Sequence, residues 1–443
     1  MESFSQPLIH RLSPELLDKI LGNLDGSRED LAACSTVCKA WLPVCRYYLF
    51  AEVNCRPDLA RHIKQSTVGT YATADTISPS IRRVNLKGPI AEEGSSLAAW
   101  IFRLPRLTEL RVTQLTWSIP ALQLTPGLPS LYRLLKLTLQ YVHLPSFSLL
   151  ATTLDLFPAL EELSLDNVSW DAVGSISDED VHEVDATPQS SPLRKLRIAF
   201  CHNRVLLNWF HYGLISDAIQ IPESRAHRPF PHLGAVSLPD ILPEEGDIFG
   251  AFLATLGESL EYLAFGILVH EFDGRHTDGG REFSDVFLEM RTDKICFFLD
   301  FSRLVSLSQN TGLKALGIHQ ITLFQFPFPV QHSAFDSTPN PTQLSSDPVT
   351  FNTPYAWIAL LLSTLRSSSI ENLTLHMWLS AESQLDLLSW SDLCEVLAQS
   401  TLCRVRFRVS GIGRNTENAE EWIRRRLRDL GSTGPILEFE FSA

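Results

Sequence analysis

The sequence lacks the long apolar runs and paired cysteines that mark membrane-spanning and disulfide-bonded proteins. Within its 443 residues, no stretch approaches the roughly 18 consecutive apolar residues that a membrane span needs. Residues 1–10 contain no basic segment followed by an apolar run, which argues against secretion. Eight cysteines occur without a C-x-x-C pair, and we expect them to be buried free thiols. These absences predict a cytoplasmic or nuclear protein without a membrane partner.

The chain is also poor in basic residues. It carries 37 lysines and arginines against 51 aspartates and glutamates, which gives a formal charge of −14 and a pI near 5.4. Binding to a phosphate backbone depends on clustered lysine and arginine side chains that displace counterions, so we expect no nucleic-acid partner. The basic run Arg424–Arg426 follows Glu420 and Glu421, and this order predicts a salt-bridged helix rather than a nucleic-acid patch.

Catalytic sequence motifs are missing as well. The sequence contains no phosphate-binding loop, no dinucleotide-binding glycine motif, no H-E-x-x-H and no G-x-S-x-G. Several histidines and acids are metal ligands by type but lack the paired spacing of a metal site, and they are His202, His211, His270, His276, Glu271 and Asp273. We therefore expect no catalytic residue, no cofactor and no metal, in a chain that is not an enzyme.

The first fifty residues carry the pattern of three short helices. Ser13 is a capping residue, Pro14 suits the first helical position, and the apolar residues up to Leu24 fit a period of about 3.6 residues. A turn at Asp25-Gly26 precedes a second short helix, and a third amphipathic segment follows at 37–49. Helices this short must bury their apolar faces against each other or against a partner.

These residues resemble the F-box. The likeness rests on Leu12-Ser13-Pro14-Glu15-Leu16-Leu17, Ile20-Leu21, Leu24, Asp30-Leu31 and Val37-Cys38-Lys39-Ala40-Trp41, and it spans roughly residues 10 to 53. The segment 47–53 is similar to fungal F-box proteins. The resemblance implies a three-helix module that docks on a Skp-type adaptor, and through it on the cullin and RING subunits of a ubiquitin ligase.

By position, the resemblance implies a set of core or adaptor-contact residues, namely Leu12, Pro14, Leu16, Ile20, Leu31, Val37, Cys38 and Trp41. The family commonly has proline directly after the first leucine, whereas here Ser13 stands in that place and Pro14 follows one residue later. This departure leaves the adaptor affinity open. The alternative is an ordinary three-helix cap whose leucine and tryptophan side chains pack internally and bind nothing.

After residue 75, a second apolar pattern recurs along the chain. Its copies are Ile81-Val84-Leu86, Leu107-Leu110-Val112, Leu134-Leu137-Leu139, Leu160-Leu163-Leu165, Leu193-Leu196-Ile198, Leu233-Val236-Leu238, Leu260-Leu263-Phe265, Leu313-Leu316-Ile318, Ile370-Leu373-Leu375, Leu402-Val405-Phe407 and Ile436-Phe439-Phe441. Three copies share a proline two residues before the first apolar position, and the first four copies begin 26 or 27 residues apart. The last two apolar positions of each copy predict a short strand with one buried face.

This periodicity resembles divergent leucine-rich repeats. It implies an α/β fold in which the three-helix F-box precedes an irregular leucine-rich-repeat-like solenoid with a curved, mostly parallel sheet. Returning helices are expected at Phe249–Leu256 and Trp357–Leu365. Only Cys201 occupies the Asn/Cys position that follows a strand, so asparagine ladders are not expected. The alternative is a non-repetitive α/β domain whose strands share the same local pattern.

The predicted organisation is an F-box at 10–53, a linker helix or loop at 54–74 and a leucine-rich-repeat-like substrate-recognition domain at 75–443. Within the last domain, polar, glycine-rich or proline-rich segments predict insertions near 169–192, 269–300 and 326–354. Both the strand face and these insertions are places where a target protein can be contacted.

The resulting hypothesis is a substrate-recruiting adaptor subunit of a Skp/cullin/F-box ubiquitin ligase. The F-box would bind the Skp-type adaptor, and the repeat domain would hold an unknown protein target, with Trp117, Trp170 and Trp378 as candidate contacts and core packing as the alternative for each. The runner-up is a protein-interaction scaffold not engaged in a ubiquitin ligase. A third hypothesis, an enzyme with an unrecognised site, requires a polar pocket with convergent titratable groups.

Overall fold

The structure is a computed structural model in which the chain forms two compact units. One unit comprises residues 1–205 and 212–232, and the other comprises residues 206–211 and 233–443. The residues that the structure describes are 12–24, 26–55, 78–88, 101, 104–116, 131–170, 192–201, 203–212, 230–268, 301, 303–322, 355–379, 381–411, 416–430 and 434–442. Both units are α/β, because each has parallel strands whose connections contain helices.

The first unit opens with three short helices, α1 (Pro14–Gly22), α2 (Arg28–Ser35) and α3 (Leu42–Leu49). The start of α1 follows the prediction, since Ser13 Oγ accepts a hydrogen bond from Leu16 N at 3.3 Å and Pro14 is the first helical residue. Tyr48 Oη of α3 donates to Asp18 Oδ1 of α1 at 3.0 Å and so ties the third helix to the first.

One small core joins these helices. It consists of Leu17 and Leu21 from α1, Leu31 from α2 and Cys45 from α3, all of them buried. Partly buried side chains surround this core, and they are Leu24, Cys34, Trp41, Val44, Tyr48 and Leu49. Mutual burial of apolar surface stabilises helices that are too short to persist alone. We call residues 12–24 and 26–49 the three-helix module.

Six strands follow in the first unit: β1 (Glu52–Cys55), β2 (Arg83–Lys87), β3 (Glu109–Thr116), β4 (Lys136–Leu144), β5 (Glu162–Trp170) and β6 (Lys195–Ala199). The other elements are α4 (Phe147–Asp155) and the 3-10 helices Ser78–Ser80 and Leu131–Arg133. Helix α5 (Asn203–Tyr212) begins in this unit, but its residues 206–211 belong to the second unit. From β1 to β6, each strand pairs in parallel with the next strand along the chain.

The second unit also has six strands: β7 (Ala235–Ile241), β8 (Tyr262–Ile267), β9 (Ala315–Thr322), β10 (Asn372–Trp378), β11 (Arg404–Ser410) and β12 (Ile436–Ser442). Its helices are α6 (Gly246–Leu256), α7 (Ala356–Ser363), α8 (Trp390–Gln399) and α9 (Thr416–Arg426), with 3-10 helices at Pro243–Glu245, Gly257–Ser259, Glu382–Leu387 and Arg428–Leu430. The strands again pair in parallel and in chain order from β7 to β12. Helices α6 and α7 confirm the two predicted returning helices.

No helix within the described ranges combines the length and the apolar character that crossing a membrane requires.

Aromatic rings fill the core of the second unit between its helices and strands. Phe249 of α6 lies 5.4 Å from Phe265 of β8, measured between ring centroids, and 6.1 Å from Phe301. Trp357 of α7 lies 6.1 Å from Phe301 and 6.4 Å from Phe265. Aromatic pairs at these separations contribute stability beyond the area that they bury.

The apolar copies found in the sequence coincide with strands β2 to β12. Around β3, for example, Leu107 lies just before the strand, Leu110 and Val112 lie within it, and all three are buried. Side chains alternate between the two sides of a strand, so Arg111 lies on the other side and is exposed. We call this other side, opposite the buried apolar residues, the open face of each unit. The prediction of a recurring parallel strand is confirmed within both units.

Strand β12 differs from its predicted alignment. The sequence pattern aligns Phe439 with Val405 of β11, but in the structure Val405 pairs with Leu437 and Phe439 pairs with Phe407. The predicted register is therefore wrong by two residues. Because side chains alternate with a period of two, a shift of two residues keeps every side chain on the same face, and apolar spacing does not separate the two registers.

Strand β1 lies where the sequence predicts the end of the F-box and the start of a linker. Val53 pairs with Val84, and Cys55 pairs with Leu86. Asn54 and Cys55 of the predicted linker thus belong to a strand, and the rest of 54–74 lies outside the described residues. The predicted insertions 269–300 and 326–354 lie outside them entirely. Of 169–192 only Ser169, Trp170 and Pro192 are described, and the first two end β5.

The cysteines in the described part of the chain are free, and Cys296 lies outside it. Burial raises the pKa of the Cys55 thiol to about 12. Cys403 is exposed, so the expectation of burial is wrong for this residue. At the predicted Asn/Cys position, Cys201 Sγ accepts a hydrogen bond from Val168 N at 3.4 Å. This bond links strand β5, which contains Val168, to the segment that follows β6.

A row of left-handed backbone conformations crosses β3, β4 and β5 and continues just after β6. Gln114, Tyr141, Asn167 and Phe200 have φ values between 52° and 58°. Gln114, Tyr141 and Asn167 each lie between paired positions of the ladder without a strand partner of their own. Bulky side chains rarely adopt this conformation, so Tyr141 and Phe200 are held in strained backbone.

We expect Tyr141→Asn to raise the free energy of unfolding by about 0.5 to 1 kcal/mol, because asparagine tolerates the left-handed conformation better than tyrosine does. Tyr141 is 52% exposed, so few side-chain contacts are lost. Urea unfolding followed by circular dichroism measures the change. The control is Tyr262→Asn, at an exposed strand position with ordinary φ, where the same exchange should lower stability because tyrosine favours strands. If Tyr141→Asn lowers the free energy of unfolding instead, the backbone at Tyr141 is not strained.

Candidate protein-interaction surfaces

Helix α1 carries apolar side chains on two faces. Leu17 and Leu21 lie in the core of the three-helix module. Leu16 and Ile20 are 51% and 45% exposed. Residues four apart lie on the same face of a helix, so Leu16 and Ile20 form one exposed apolar strip. The sequence shows both pairs within one apolar pattern and does not reveal which pair faces the core.

Two more of the predicted adaptor-contact residues are exposed. Leu12, which precedes α1, is 37% exposed, and Val37, in the turn after α2, is 52% exposed. Cys38 beside it is half-buried. Pro14 is the first residue of α1. The module therefore has an apolar surface that its own folding does not use, and such surfaces are typical of binding sites.

The remaining two predicted residues are Leu31, which belongs to the core, and Trp41, which packs against it. Leu31 is 1% exposed, and Trp41 packs against the same buried cluster. The Trp41 Nε1 atom is buried and has no hydrogen-bond partner among the described residues. Of the two roles that the sequence allowed, core or contact, Leu31 takes the first because its side chain does not reach the surface, whereas Trp41 is only partly buried where it packs on the core.

Specific contacts hold the three-helix module against the first strands. The Arg28 guanidinium of α2 donates to the Glu52 carbonyl oxygen at 3.0 Å. The Arg82 guanidinium carbon lies 4.1 Å from the centre of the Tyr47 ring, a cation–π contact, and Arg82 N donates to the Ala51 carbonyl oxygen at 2.9 Å. The exposed strip of α1 is thus carried by helices that are tied to the start of the sheet.

A row of alternating charges crosses the open face of the first unit. Each strand contributes one residue at the same register position, and in order they are Glu52, Arg83, Glu109, Lys136, Glu162 and Lys195. Opposite charges on neighbouring strands attract, whereas a row of one sign repels. From Arg83 onward, each residue of this row directly precedes the second apolar residue in one copy of the recurring apolar pattern, as Arg83 precedes Val84. The signal for this row is therefore present in the sequence, although none of its residues is among the predicted contacts.

Glu162 is the most strongly paired member of this charge row. Its carboxylate lies 2.5 Å from Lys195 Nζ and 3.5 Å from Lys136 Nζ. The hydrogen bond from Lys195, with the charges of both ammonium groups, lowers the pKa of Glu162 below its ordinary value of 4.5. Lys136 Nζ also lies 3.7 Å from Glu109, so one lysine bridges two carboxylates.

The open face of the second unit has small residues at one end and ion pairs at the other. On β7, β8 and β9 the small residues are Ala235, Ser237, Ala264, Gly266, Ala315 and Gly317. On β11 and β12, Arg404 and Arg406 both lie 2.8 Å from Glu438, and Arg408 lies 2.8 Å from Glu440. The two carboxylates of β12 are therefore neutralised by their neighbouring strand.

Histidines in the described ranges do not form a metal site. No group of three or more potential His, Cys, Asp or Glu ligands occurs there. His211 Nδ1 is hydrogen-bonded to Thr255 Oγ1 at 2.6 Å, and burial lowers its pKa. His376 Nε2 is hydrogen-bonded to Ser410 Oγ at 3.1 Å. The other predicted candidates lie outside the described residues, and they are His202, His270, His276, Glu271 and Asp273.

The candidate tryptophans differ in accessibility. Trp170 is 9% exposed, and its ring lies 5.1 Å from that of Phe147, so it is a packing residue. Trp378 is 52% exposed at the end of β10. Its indole lies against Gly411, where an added Cβ atom would come within 2.6 Å of the ring. Trp117 lies outside the described residues, so Trp378 is the accessible candidate among those described.

The basic run near the C-terminal end forms a salt-bridged helix, as predicted. Within α9, Arg424 donates to Glu420 at 2.8 Å, and Arg425 donates to Glu421 at 3.2 Å. Arg425 also lies 3.1 Å from Glu382. Carboxylates within and beside the helix therefore neutralise much of this positive charge.

Comparisons with known proteins assign no family. No family model matches the chain, and no curated protein matches it. Among solved structures, a protein from Bacteroides fragilis is similar with 11% identity and a TM-score of 0.31, over 88% of this chain and 73% of the other. A TLR13–ssRNA13 complex is similar with 10% identity and a TM-score of 0.27, over 90% of this chain and 37% of the other. Likeness at this level carries no argument about function.

The charge row predicts a pH-dependent contribution from Glu162. Because its pKa is lower in the folded than in the unfolded chain, its ionised form stabilises the fold above pH 4.5, and this contribution is lost as the pH falls through the lowered pKa. Glu162→Gln should cost about 0.5 to 1 kcal/mol at neutral pH, since the carboxylate is partly exposed, and almost nothing in acid.

Urea unfolding at a series of pH values measures this difference. Glu371→Gln is the control, because Glu371 is exposed and has no ion-pair partner among the described residues. Its effect should remain below about 0.5 kcal/mol at every pH. If Glu162→Gln and Glu371→Gln show the same pH profile, the charge row does not stabilise the sheet.

Proposed function

We propose that this chain is a substrate-recruiting adaptor subunit of a Skp/cullin/F-box ubiquitin ligase. The three-helix module acts as the F-box and binds a Skp-type adaptor, which connects it to the cullin and RING subunits. The strands that follow hold the target protein on their open face. The observation that carries this proposal is the exposed apolar strip formed by Leu16 and Ile20 on a module that already has its own core.

The strip supports a binding role because folding does not account for it. Leu16 and Ile20 are each about half exposed, so covering either one removes apolar surface worth roughly 1 kcal/mol. Two such side chains contribute too little for a stable complex. Leu12 and Val37 are also exposed, and we propose that they enlarge the contact. Leu31 and Trp41 support the surface from inside by fixing the helices.

The sheet supports the second half of the proposal. Parallel strands in chain order, with buried apolar positions and a solvent-facing row of polar side chains, are typical of leucine-rich-repeat-like arrays. Such arrays present side chains from several neighbouring strands to one partner. Strands β1 to β6 offer a surface of this kind, with paired charges that give it a defined polar pattern. A protein target fits such a surface better than a small molecule, which needs a concave site.

A scaffold outside any ubiquitin ligase is the second candidate. It is favoured by the burial of Leu31 and by Trp41 packing on the core, because fewer residues then remain for the adaptor than the F-box resemblance implies. Ser13 adds to this, since it caps α1 in the place where the family commonly has proline. Under this hypothesis the chain binds its protein partner without a Skp-type adaptor.

Adaptor capture tests the proposal. We expect tagged full-length protein to co-purify with a Skp-type adaptor, and the double variant Leu16→Ala with Ile20→Ala to lose at least about tenfold of it, since about 1.4 kcal/mol of binding energy corresponds to a factor of ten. Both side chains are exposed in the folded chain, so stability should change little. Quantitative mass spectrometry of the captured proteins provides the measurement.

The matched control is Leu135→Ala with Leu304→Ala, which truncates two leucines that are 39% and 51% exposed elsewhere in the chain. It should capture as much adaptor as the unchanged protein. If no Skp-type adaptor co-purifies, or if both double variants capture it equally, the ligase proposal is wrong. Capture of a target protein without the adaptor would favour the scaffold instead.

A further inference from the structure

A second row of residues crosses the open face of the first unit beside the charge row. Arg111, Thr138, Ser164 and Arg197 occupy one register position on β3, β4, β5 and β6. The two arginines are exposed, and the two hydroxyl residues between them are half-buried. Guanidinium and hydroxyl groups all donate hydrogen bonds to oxygen anions. We call these four residues the arginine row.

The cations of this open face outnumber its carboxylates, although the whole chain has a formal charge of −14. Strands β1 to β6 carry six cations, Arg83, Lys87, Arg111, Lys136, Lys195 and Arg197, and four carboxylates, Glu52, Glu109, Glu162 and Asp166, which gives a net charge of +2. Positive charge is therefore concentrated on the strand side of an acidic protein. Surfaces that carry a local excess of one sign attract partners of the other.

Every carboxylate on these strands already has a donor. Glu52, Glu109 and Glu162 lie within 3.7 Å of a lysine or arginine nitrogen, and Asp166 accepts a hydrogen bond from the Gln140 amide at 3.1 Å.

The unpaired charges on this face are cations. Lys87, Arg111 and Arg197 have no carboxylate partner among the described residues, and Arg111 donates only to the neutral Gln140 side chain, at 2.9 Å. An anion that binds this face can therefore pair with free cations, and no unpaired carboxylate on the strands repels it.

The geometry points to an extended acidic peptide as the occupant of the arginine row. Arg111 and Arg197 are three strands apart, which is about 14 Å at the usual strand spacing. Four residues of extended chain cover about 13 Å, and side chains at positions i and i+4 lie on the same side of it. We propose that the target segment crosses the strands with acidic residues at i and i+4, one on each arginine, and that the side chain at i+2 lies over Thr138 and Ser164.

This inference rests on the proposed function, because the acidic segment would belong to the recruited target. Nucleic acid fits the observations less well, since the chain as a whole is acidic and repels a long polyanion. A short acidic peptide meets only the local excess of positive charge. The salt dependence should accordingly be modest, because only two charge pairs form.

Peptide binding to the full chain tests the inference without any adaptor. The probe is a fluorescent peptide with two glutamates four residues apart in a threonine-rich background, which favours extended structure. The comparison peptide has the same composition with the glutamates three residues apart, which places them on opposite sides. Fluorescence anisotropy should show tighter binding of the first peptide, and Arg111→Gln or Arg197→Gln should each weaken it about fivefold.

Arg106→Gln is the matched control, since Arg106 is exposed and lies before β3 rather than on the open face. It should leave binding unchanged. Equal binding of both peptides, no measurable binding of the first, or no loss in the Arg111→Gln and Arg197→Gln variants would each overturn the inference. Tighter binding of single-stranded RNA at the same arginines would also overturn it. Adaptor capture is a separate measurement. If the peptide does not bind, the ligase proposal is unaffected, and if no adaptor co-purifies, the peptide-binding result still stands on its own.

Discussion

The rest of the structure depends on one repeated constraint, which is that two apolar side chains separated by one residue are buried on the same side of each strand from β2 to β11. Leu137 with Leu139 in β4 and Leu163 with Leu165 in β5 meet this constraint, and they lie side by side because the ladder keeps them in register. Parallel pairing requires a long crossover between strands, which α4 provides between these two. Burial thus continues from strand to strand within each unit, although no single repeat can bury this surface alone.

The same constraint leaves the opposite side of the strands available for other purposes. Side chains there need not be apolar, and the first unit uses them for alternating charges such as Lys136 between Glu109 and Glu162. The three-helix module likewise has one set of apolar residues in its core and another on its surface. Leu17 and Leu21 complete its core, so Leu16 and Ile20 remain on the surface. In both parts of the molecule, the residues that fold the chain are distinct from those that we propose bind partners.

The sequence predicts strand positions well because the apolar spacing reports burial directly, as for Leu107, Leu110 and Val112 around β3. It predicts register less well, because both registers of β12 place the alternating apolar residues Leu437, Phe439 and Phe441 on the same face, so the apolar spacing does not separate them. Strand β1 has the same apolar spacing in Phe50, Val53 and Cys55, but these residues lie where the F-box resemblance predicts the end of the module and the start of a linker. At α1 the sequence could not separate core from surface, since adjacent leucines such as Leu16 and Leu17 both fit a helical period.

Hydrogen exchange of the full chain, with and without a purified Skp-type adaptor, tests the central claim most directly, because it reports which backbone amides the partner protects. We predict slower exchange in α1 and in the turn that contains Val37, with β3 to β6 unchanged. Binding that protects the strands instead, or no protection anywhere at saturating adaptor, would contradict the assignment of the exposed apolar strip as the adaptor site.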